Sequence, residues 1–292
     1  MNFVLQGLVY GIVLGSIYAV MASGLSLVYG VMKVVNFAQG VLAVFAAYVA
    51  YQLFQSLGLD PFLSLGISVP LFFALGCLIY RGLLLGKLGR ESEYSSLLVT
   101  FGFGISLEVL LILLWTTKFK SITTSYSTST FVLGPVRLSY ARLFAVALAI
   151  IVLVLLRGFL ERTKVGKAIR AVAQDREAAT YMGIDIEYVC ALTFGIATAT
   201  ASVAGTLLGV VYAFYPAVHL NWTGRLLAIV VLGGMGSVTG AFLGSYLIAT
   251  AESFVALFFG ASWAPLVGFL TIVIILLIRP GGLMGLRIGV RE

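Results

Sequence analysis

Apolar residues run along this chain in long blocks divided by short polar stretches: 3–31, 38–55, 62–80, 95–116, 139–160, 188–214, 226–259 and 263–279. A helix needs roughly 20 such residues to cross the hydrocarbon core of a bilayer. A helix also closes its own backbone hydrogen bonds where no water is available, so the pattern predicts an all-α, polytopic transmembrane bundle. Block 226–259 is too long for one crossing and carries GGMGSVTG at 233–240. It reads as two arms, 226–236 and 240–259, meeting at a glycine-rich break. That brings the expected count to about eight or nine membrane segments. No soluble domain interrupts them, so residues 1–292 are expected to form a single membrane domain.

A second break lies near the N-terminus. LSLVYGVMKVVNFAQGVLAVFAAYVA passes from an apolar arm through Gly30, MKVVNFAQ and Gly40 into another apolar arm, and LLAIVVLGGMGSVTGAFLGSYLIATA repeats the plan. Non-helical backbone persists in a membrane only where protein or water satisfies its polar groups. Paired glycine-interrupted segments in two halves of a transporter point to a substrate path, whereas small residues also serve close helix packing. On the first reading Asn36, Gln39, Gly40, Gly233, Gly234, Gly236, Ser237 and Thr239 border a translocation path; on the second they form a packing seam.

Composition agrees with a membrane protein: 61% hydrophobic residues, 10% charged and a mean hydropathy of +1.11 exclude an ordinary soluble domain. The net charge of +7 is explained by basic loops, and no nucleic-acid partner is expected. Arg81, Lys87 and Arg90 follow the third block; Arg157, Arg162, Lys164, Lys167, Arg170 and Arg176 follow the fifth. Two blocks separate these loops, so both can be cytoplasmic, with QSLGLDPF and KFKSITTSYSTSTFVLGPVRLSYAR exposed on the other side. Arg279, Arg287 and Arg291 call for a cytoplasmic tail, which the two-arm reading allows. MNFVLQGLVYG lacks the basic start and cleavage site of a secretory signal, so the first span is expected to target the chain and remain in it. Cys77 and Cys190 lie in or beside apolar blocks and read as buried thiols.

Against this background RAVAQDREAATYMGID, residues 170–185, is unusually charged. Residues 166–182 read as one amphipathic helix outside the hydrocarbon, with Ile169, Val172, Ala179 and Met182 on an apolar stripe and Arg170, Gln174, Glu177 and Tyr181 on a polar one. Gly183 supplies its stop. Asp175, Glu177, Asp185 and Glu187 argue against anionic lipid as its neighbour, which favours docking into a groove of another protein.

RAVAQDREAATYMGI resembles the cytoplasmic coupling loop of permease subunits from bacterial ABC importers for branched-chain amino acids, the LivH type. Glu177-Ala178-Ala179 followed by Gly183 echoes the wider EAA-x₃-G importer motif, without its downstream I-x-L-P part. GSIYAVMASGLSLVYGVMKVVNFAQG is similar to the family's N-terminal signature, AIVVLGGMGSVTGAFLGSYLIATAE to its glycine-rich segment and RPGGLMG to its usual ending. The matches keep the family's order and cover nearly the whole chain. One departure is Gln39, where the family commonly has His; Gln hydrogen-bonds but takes no charge near neutral pH.

The resemblance implies a multi-pass subunit of the bacterial cytoplasmic (inner) membrane that pairs with a sister, LivM-like permease. It implies two cytosolic ATPases holding ATP and Mg, and an extracytoplasmic substrate-binding protein. Within the coupling loop, 161–187, it assigns ATPase contact to Arg170, Val172, Gln174, Asp175, Glu177, Ala178, Ala179, Met182 and Gly183. The chain has no GxxxxGK[ST] phosphate loop, and LLLGKLGR lacks its spacing and hydroxyl residue, so it is expected to bind no ATP of its own. The family's substrates include branched-chain amino acids, other amino acids, urea and short amides.

Glu108 and Glu252 lie within apolar blocks, where carboxylates are costly and mark functional sites by default. An ion-coupled carrier would use them as a relay; helix-to-helix hydrogen bonding is the other reading. Glu252, after the second break, joins the expected path. His219, the only histidine, lacks metal-ligand neighbours and is expected at the outer rim with Tyr215, Trp222 and Arg225. No metal site and no catalytic constellation stands out.

Overall fold

The computed structural model describes residues 2–85, 93–133, 136–278 and 281–284. Helix α1 (Asn2–Met32) leads through the first break into α2 (Gln39–Leu57) and α3 (Pro61–Ile79), which relaxes into a π-helical turn at Tyr80–Leu84. α4 (Glu93–Trp115) is followed by a short α5 (Ser125–Thr128) and an antiparallel hairpin of β1 (Thr130–Leu133) and β2 (Val136–Ser139). Then come α6 (Tyr140–Arg162), α7 (Lys164–Gln174), α8 (Arg176–Tyr181), α9 (Ile186–Val211), α10 (His219–Gly233), α11 (Val238–Phe259) and α12 (Ala264–Ile278). Among the described residues, seven helices are long and apolar enough to cross a membrane. α10 and α12, at 15 residues each, are shorter companions. The protein is the expected all-α polytopic bundle, and both glycine breaks interrupt helices where the pattern placed them.

Local chemistry sets several boundaries. α2 stops at Gly58, whose φ of +64° suits a residue without Cβ. α3 starts after Asp60, whose carboxylate accepts the Phe62 N–H at 2.9 Å, with Pro61 in the first turn. The other Asp60 oxygen accepts the Tyr126 hydroxyl at 2.6 Å; burial and this bond push the Tyr126 pKa above its ordinary value.

α1 and α9 are the buried axis, while α4 and α6 face outward over much of their length. α1 lies antiparallel to α11 along a glycine seam: a Cβ on Gly11 would sit 2.8 Å from Thr250 Cα, and one on Gly15 would sit 2.9 Å from the Tyr246 ring. Removing those side chains lets the backbones approach closely, the main source of helix attraction in lipid. Ser16 and Tyr246 hydroxyls add a 2.9 Å hydrogen bond across the seam. α9 packs against α2 where Gly205 meets the Ala43 carbonyl, and against α3 where Thr198 donates to Phe72 O at 2.8 Å.

This packing gathers Arg81, the start of α9, α7, α8, the end of α1 and residues 281–284 at one end of the bundle. Leu283 and Met284 N–H groups donate there to Leu232 and Gly233 carbonyls at 2.8 and 3.0 Å. The described basic loops therefore share an end, as their spacing required. Lys87, Arg90, Arg279, Arg287 and Arg291 lie outside the described residues.

Three local expectations change. The stretch after α4 is more than an exposed loop: it contains α5 and the hairpin, and Lys120 bridges to Phe214 through paired backbone bonds of 2.8 Å. The arm expected to begin at 226 begins at His219, because polar residues of its first turns find partners inside the bundle. His219 is accordingly buried, at 5% exposure, and not on the rim.

Candidate functional site

The first break is held from within. Lys33 adopts a left-handed φ of 57°, turning the chain back from the end of α1. Asn36 Oδ1 then accepts the Ala38 N–H at 3.0 Å, and its amide donates to Gln39 Oε1 at 3.3 Å. The Gln39 amide donates to Ala197 O at 3.0 Å and to Met21 O at 3.5 Å, tying the break to α9 and α1. Both side chains are essentially fully buried. Gly40 faces α10 so closely that a Cβ would lie 2.9 Å from His219 O. Protein groups thus satisfy this break, and α2 is anchored on α9 and α10.

The second break is more open. Gly233 abuts Gly240; Gly234 and Gly236 take positive φ of 98° and 88°; Ser237 Oγ accepts the Gly240 N–H at 3.0 Å and starts α11. A Cβ on Gly236 would sit 3.1 Å from Gly30 Cα. Gly236 and Thr239 line a cavity of about 540 Å³ whose other walls include Leu27 and Val31 of α1 and Ile169 and Arg170 of α7. Here a glycine break and the charged segment share one space.

That segment is two helices, not the single helix expected over 166–182. Asp175 leaves helical geometry at φ −150°, ψ 110°, and its carboxylate accepts the Ala178 N–H at 3.0 Å, capping α8. Aspartate competes well for this N-cap position, which ends α7 and starts α8. Ile169, Val172 and Ala179 are buried, whereas Arg170, Gln174, Asp175, Glu177 and Ala178 are exposed. Met182 leaves the predicted apolar stripe and, with Tyr181, is more than four-fifths exposed. Gly183, at φ +79°, closes α8: its N–H donates to Thr180 O at 2.9 Å and the Ile184 N–H to Ala179 O at 3.1 Å, the paired bonds of a Schellman ending.

Glu252 stands apart, toward the opposite end. Its carboxylate accepts the Tyr18 hydroxyl at 2.7 Å and Arg225 Nε at 2.9 Å. Arg225 also lies over the Trp222 ring at 5.5 Å. Glu108 pairs with His219 Nε2 at 3.0 Å. Sequence reasoning singled out both acids but not these partners. His219 and Arg225 precede block 226–259 and were expected at the outer rim, although a costly carboxylate within an apolar block is itself the signal that a polar partner must answer it.

The description "Branched-chain amino acid transport system / permease component" belongs to a family model that matches residues 7–278. The high-affinity branched-chain amino acid transport system permease protein BraD of Pseudomonas aeruginosa is 33% identical, covering 96% of this chain and 95% of that protein. The LivH proteins of Salmonella typhimurium and Escherichia coli are 28% and 27% identical, each over 97% of this chain and 96% of theirs. Among solved structures, a chain of PsaBC from Streptococcus pneumoniae in complex with Fab superposes with a TM-score of 0.50 at 15% identity, covering 96% of this chain and 93% of that one, a likeness of fold alone. With a family model spanning almost its whole length and full-length relatives, this chain belongs to the permease-component family of branched-chain amino acid transport systems.

Proposed function

We propose that this permease pairs with a sister, LivM-like subunit in the bacterial cytoplasmic membrane and forms with it a path for branched-chain or related small amino acids. Two cytosolic ATPases serve the pair, one of them docking against α7–α8, and an extracytoplasmic binding protein delivers the substrate to the opposite end. The positive-inside rule makes the Arg81 and 157–176 end the cytoplasmic one. ATP with Mg, held on the partner ATPases, supplies the energy.

One observation carries this reading: Ile169 and Arg170 of α7 face the same cavity as Gly236 and Thr239 of the second break. A partner that grips Glu177, Ala178 and the exposed Tyr181 and Met182 can push α7 against the ends of α1 and α11. Gly236 and Gly30 sit at that point of push. Displacement there opens or closes the route past Gly233–Thr239. Asn36, Gln39 and Gly40 hold α2 against α9 and α10 while it happens, and the polar groups of the second break offer brief hydrogen bonds to the substrate.

The test is purification of the complex from its native gene neighbourhood and assay of its ATP turnover in lipid. Glu177→Lys is expected to lower turnover about tenfold or more with helicity and assembly unchanged, a loss of about 1.4 kcal/mol in coupling. Solute movement along an ion gradient by the chain alone would overturn the proposal.

A further inference from the structure

Away from the coupling end, a second, half-open cavity of about 450 Å³ lies between α1, α6, α10, α11 and α12, within the usual size range of small-molecule sites. Its wall is mainly apolar, including Leu14, Ala256 and Leu257, but Arg142, Arg225 and Glu252 also enter it. Glu252 balances Arg225 through the Nε contact and accepts the Tyr18 hydroxyl with its other oxygen. That leaves the outer nitrogens of Arg225 without a hydrogen-bond partner among the described residues. Arg142 lies over the Tyr10 ring at 4.8 Å and has no ion-pair partner among the described residues. The cavity therefore carries one unbalanced positive charge and free guanidinium donors beside an apolar wall. Guanidinium groups are suited by geometry to carboxylates, and a partly desolvated one gains most from a bound anion.

We infer that this cavity binds the carboxylate of a small amphipathic molecule, with Arg142 and the outer Arg225 nitrogens as donors and Leu14, Ala256 and Leu257 against its apolar part. The inference rests on the permease reading and deepens it: a free amino acid with a branched apolar side chain has this chemistry, whereas urea and simple amides lack the charge. A site here would receive substrate before it meets the second break.

The intact complex carrying Ala256→Cys, or in parallel Ser253→Cys at a second residue that lines the cavity, is treated with a small thiol reagent, and labelling at that position is followed by peptide mass spectrometry. L-Leucine and L-leucinamide, which lacks the carboxylate, are compared at equal millimolar concentration. Leucine is expected to slow labelling by about threefold or more, as high occupancy of a site dictates, and leucinamide to leave it unchanged. Adding Arg142→Gln is expected to abolish the protection while the unprotected labelling rate stays the same. Equal protection by both compounds, none by leucine, or protection that survives Arg142→Gln overturns the inference. Uptake by the same complex, reconstituted with its binding protein, is measured separately: intact ATP-driven uptake without protection removes only the cavity site, whereas absent ATP-driven uptake removes the permease reading.

Discussion

Arg225 and Glu252 are ion-paired at 2.9 Å with little water around them: the arginine side chain is 17% exposed and the glutamate 2%. Two charges pulled from solvent in this way are held by each other, and removing one leaves the other stranded. Glu252→Met and Arg225→Met are each expected to cost about 3–5 kcal/mol of stability, while Arg225→Met/Glu252→Met is expected to cost less than either single change. A double-mutant cycle on thermal unfolding in detergent measures this; strictly additive effects would show that the pair is not coupled.

Glu108 and His219 behave differently under substitution. The His219 Nδ1 atom is buried without a partner, so the Nε2 contact to Glu108 is the ring's one hydrogen bond among the described residues. Glu108→Gln keeps an acceptor in place and is expected to leave uptake within about twofold of wild type, whereas Glu108→Leu costs about 1–3 kcal/mol. A proton relay through Glu108 would instead lose transport with the Gln variant, so initial uptake rates decide between them.

Gly236 combines a φ of +88° with backbone contact against Gly30. Gly236→Ala is expected to cost about 1–2 kcal/mol in backbone strain alone. Gly236→Leu is expected to abolish ATP-driven uptake, and Asn36→Leu to reduce it strongly. Normal uptake by both variants, with normal assembly on gel filtration, would remove both breaks from the transport route.

The Asp175 carboxylate caps α8 and makes no other hydrogen bond among the described residues. Asp175→Ala is expected to destabilise the cap by about 1 kcal/mol, and Asp175→Asn to restore it. The loss is local, so binding-protein stimulation of ATP turnover falls while the melting temperature barely moves. A variant that melts early but couples normally would contradict the docking role given to α8.

Much of this architecture could be read from the chain because lipid imposes one rule on every segment: long apolar blocks become helices. The breaks at 33–38 and 234–237 were visible for the same reason, since glycine and polar residues interrupt otherwise continuous blocks. What could not be read were relations between distant residues. Nothing in the local pattern says that Gln39 reaches Ala197, that Tyr18 meets Glu252, or that Arg142 and Arg225 share one cavity. The helical period over 166–182 also misled, because it was strong enough to hide the cap at Asp175. Met182 fell on the apolar stripe only if α7 and α8 were one rod.

The seam between α1 and α11 sets an order on how this protein is made. α1 enters the bilayer first, yet Ser16 waits for Tyr246 and Tyr18 for Glu252, partners 230 and 234 residues later in synthesis. Until α11 is inserted, the bare glycine face of α1 and its buried hydroxyls are matched only by lipid, the insertion machinery or another chain. Contacts of such long sequence separation form late and leave earlier segments exposed to wrong pairing. Chains truncated before residue 238 will therefore be inserted yet unclosed, a ready substrate for membrane proteases. Quality control of this permease has its natural checkpoint at the arrival of its eleventh helix.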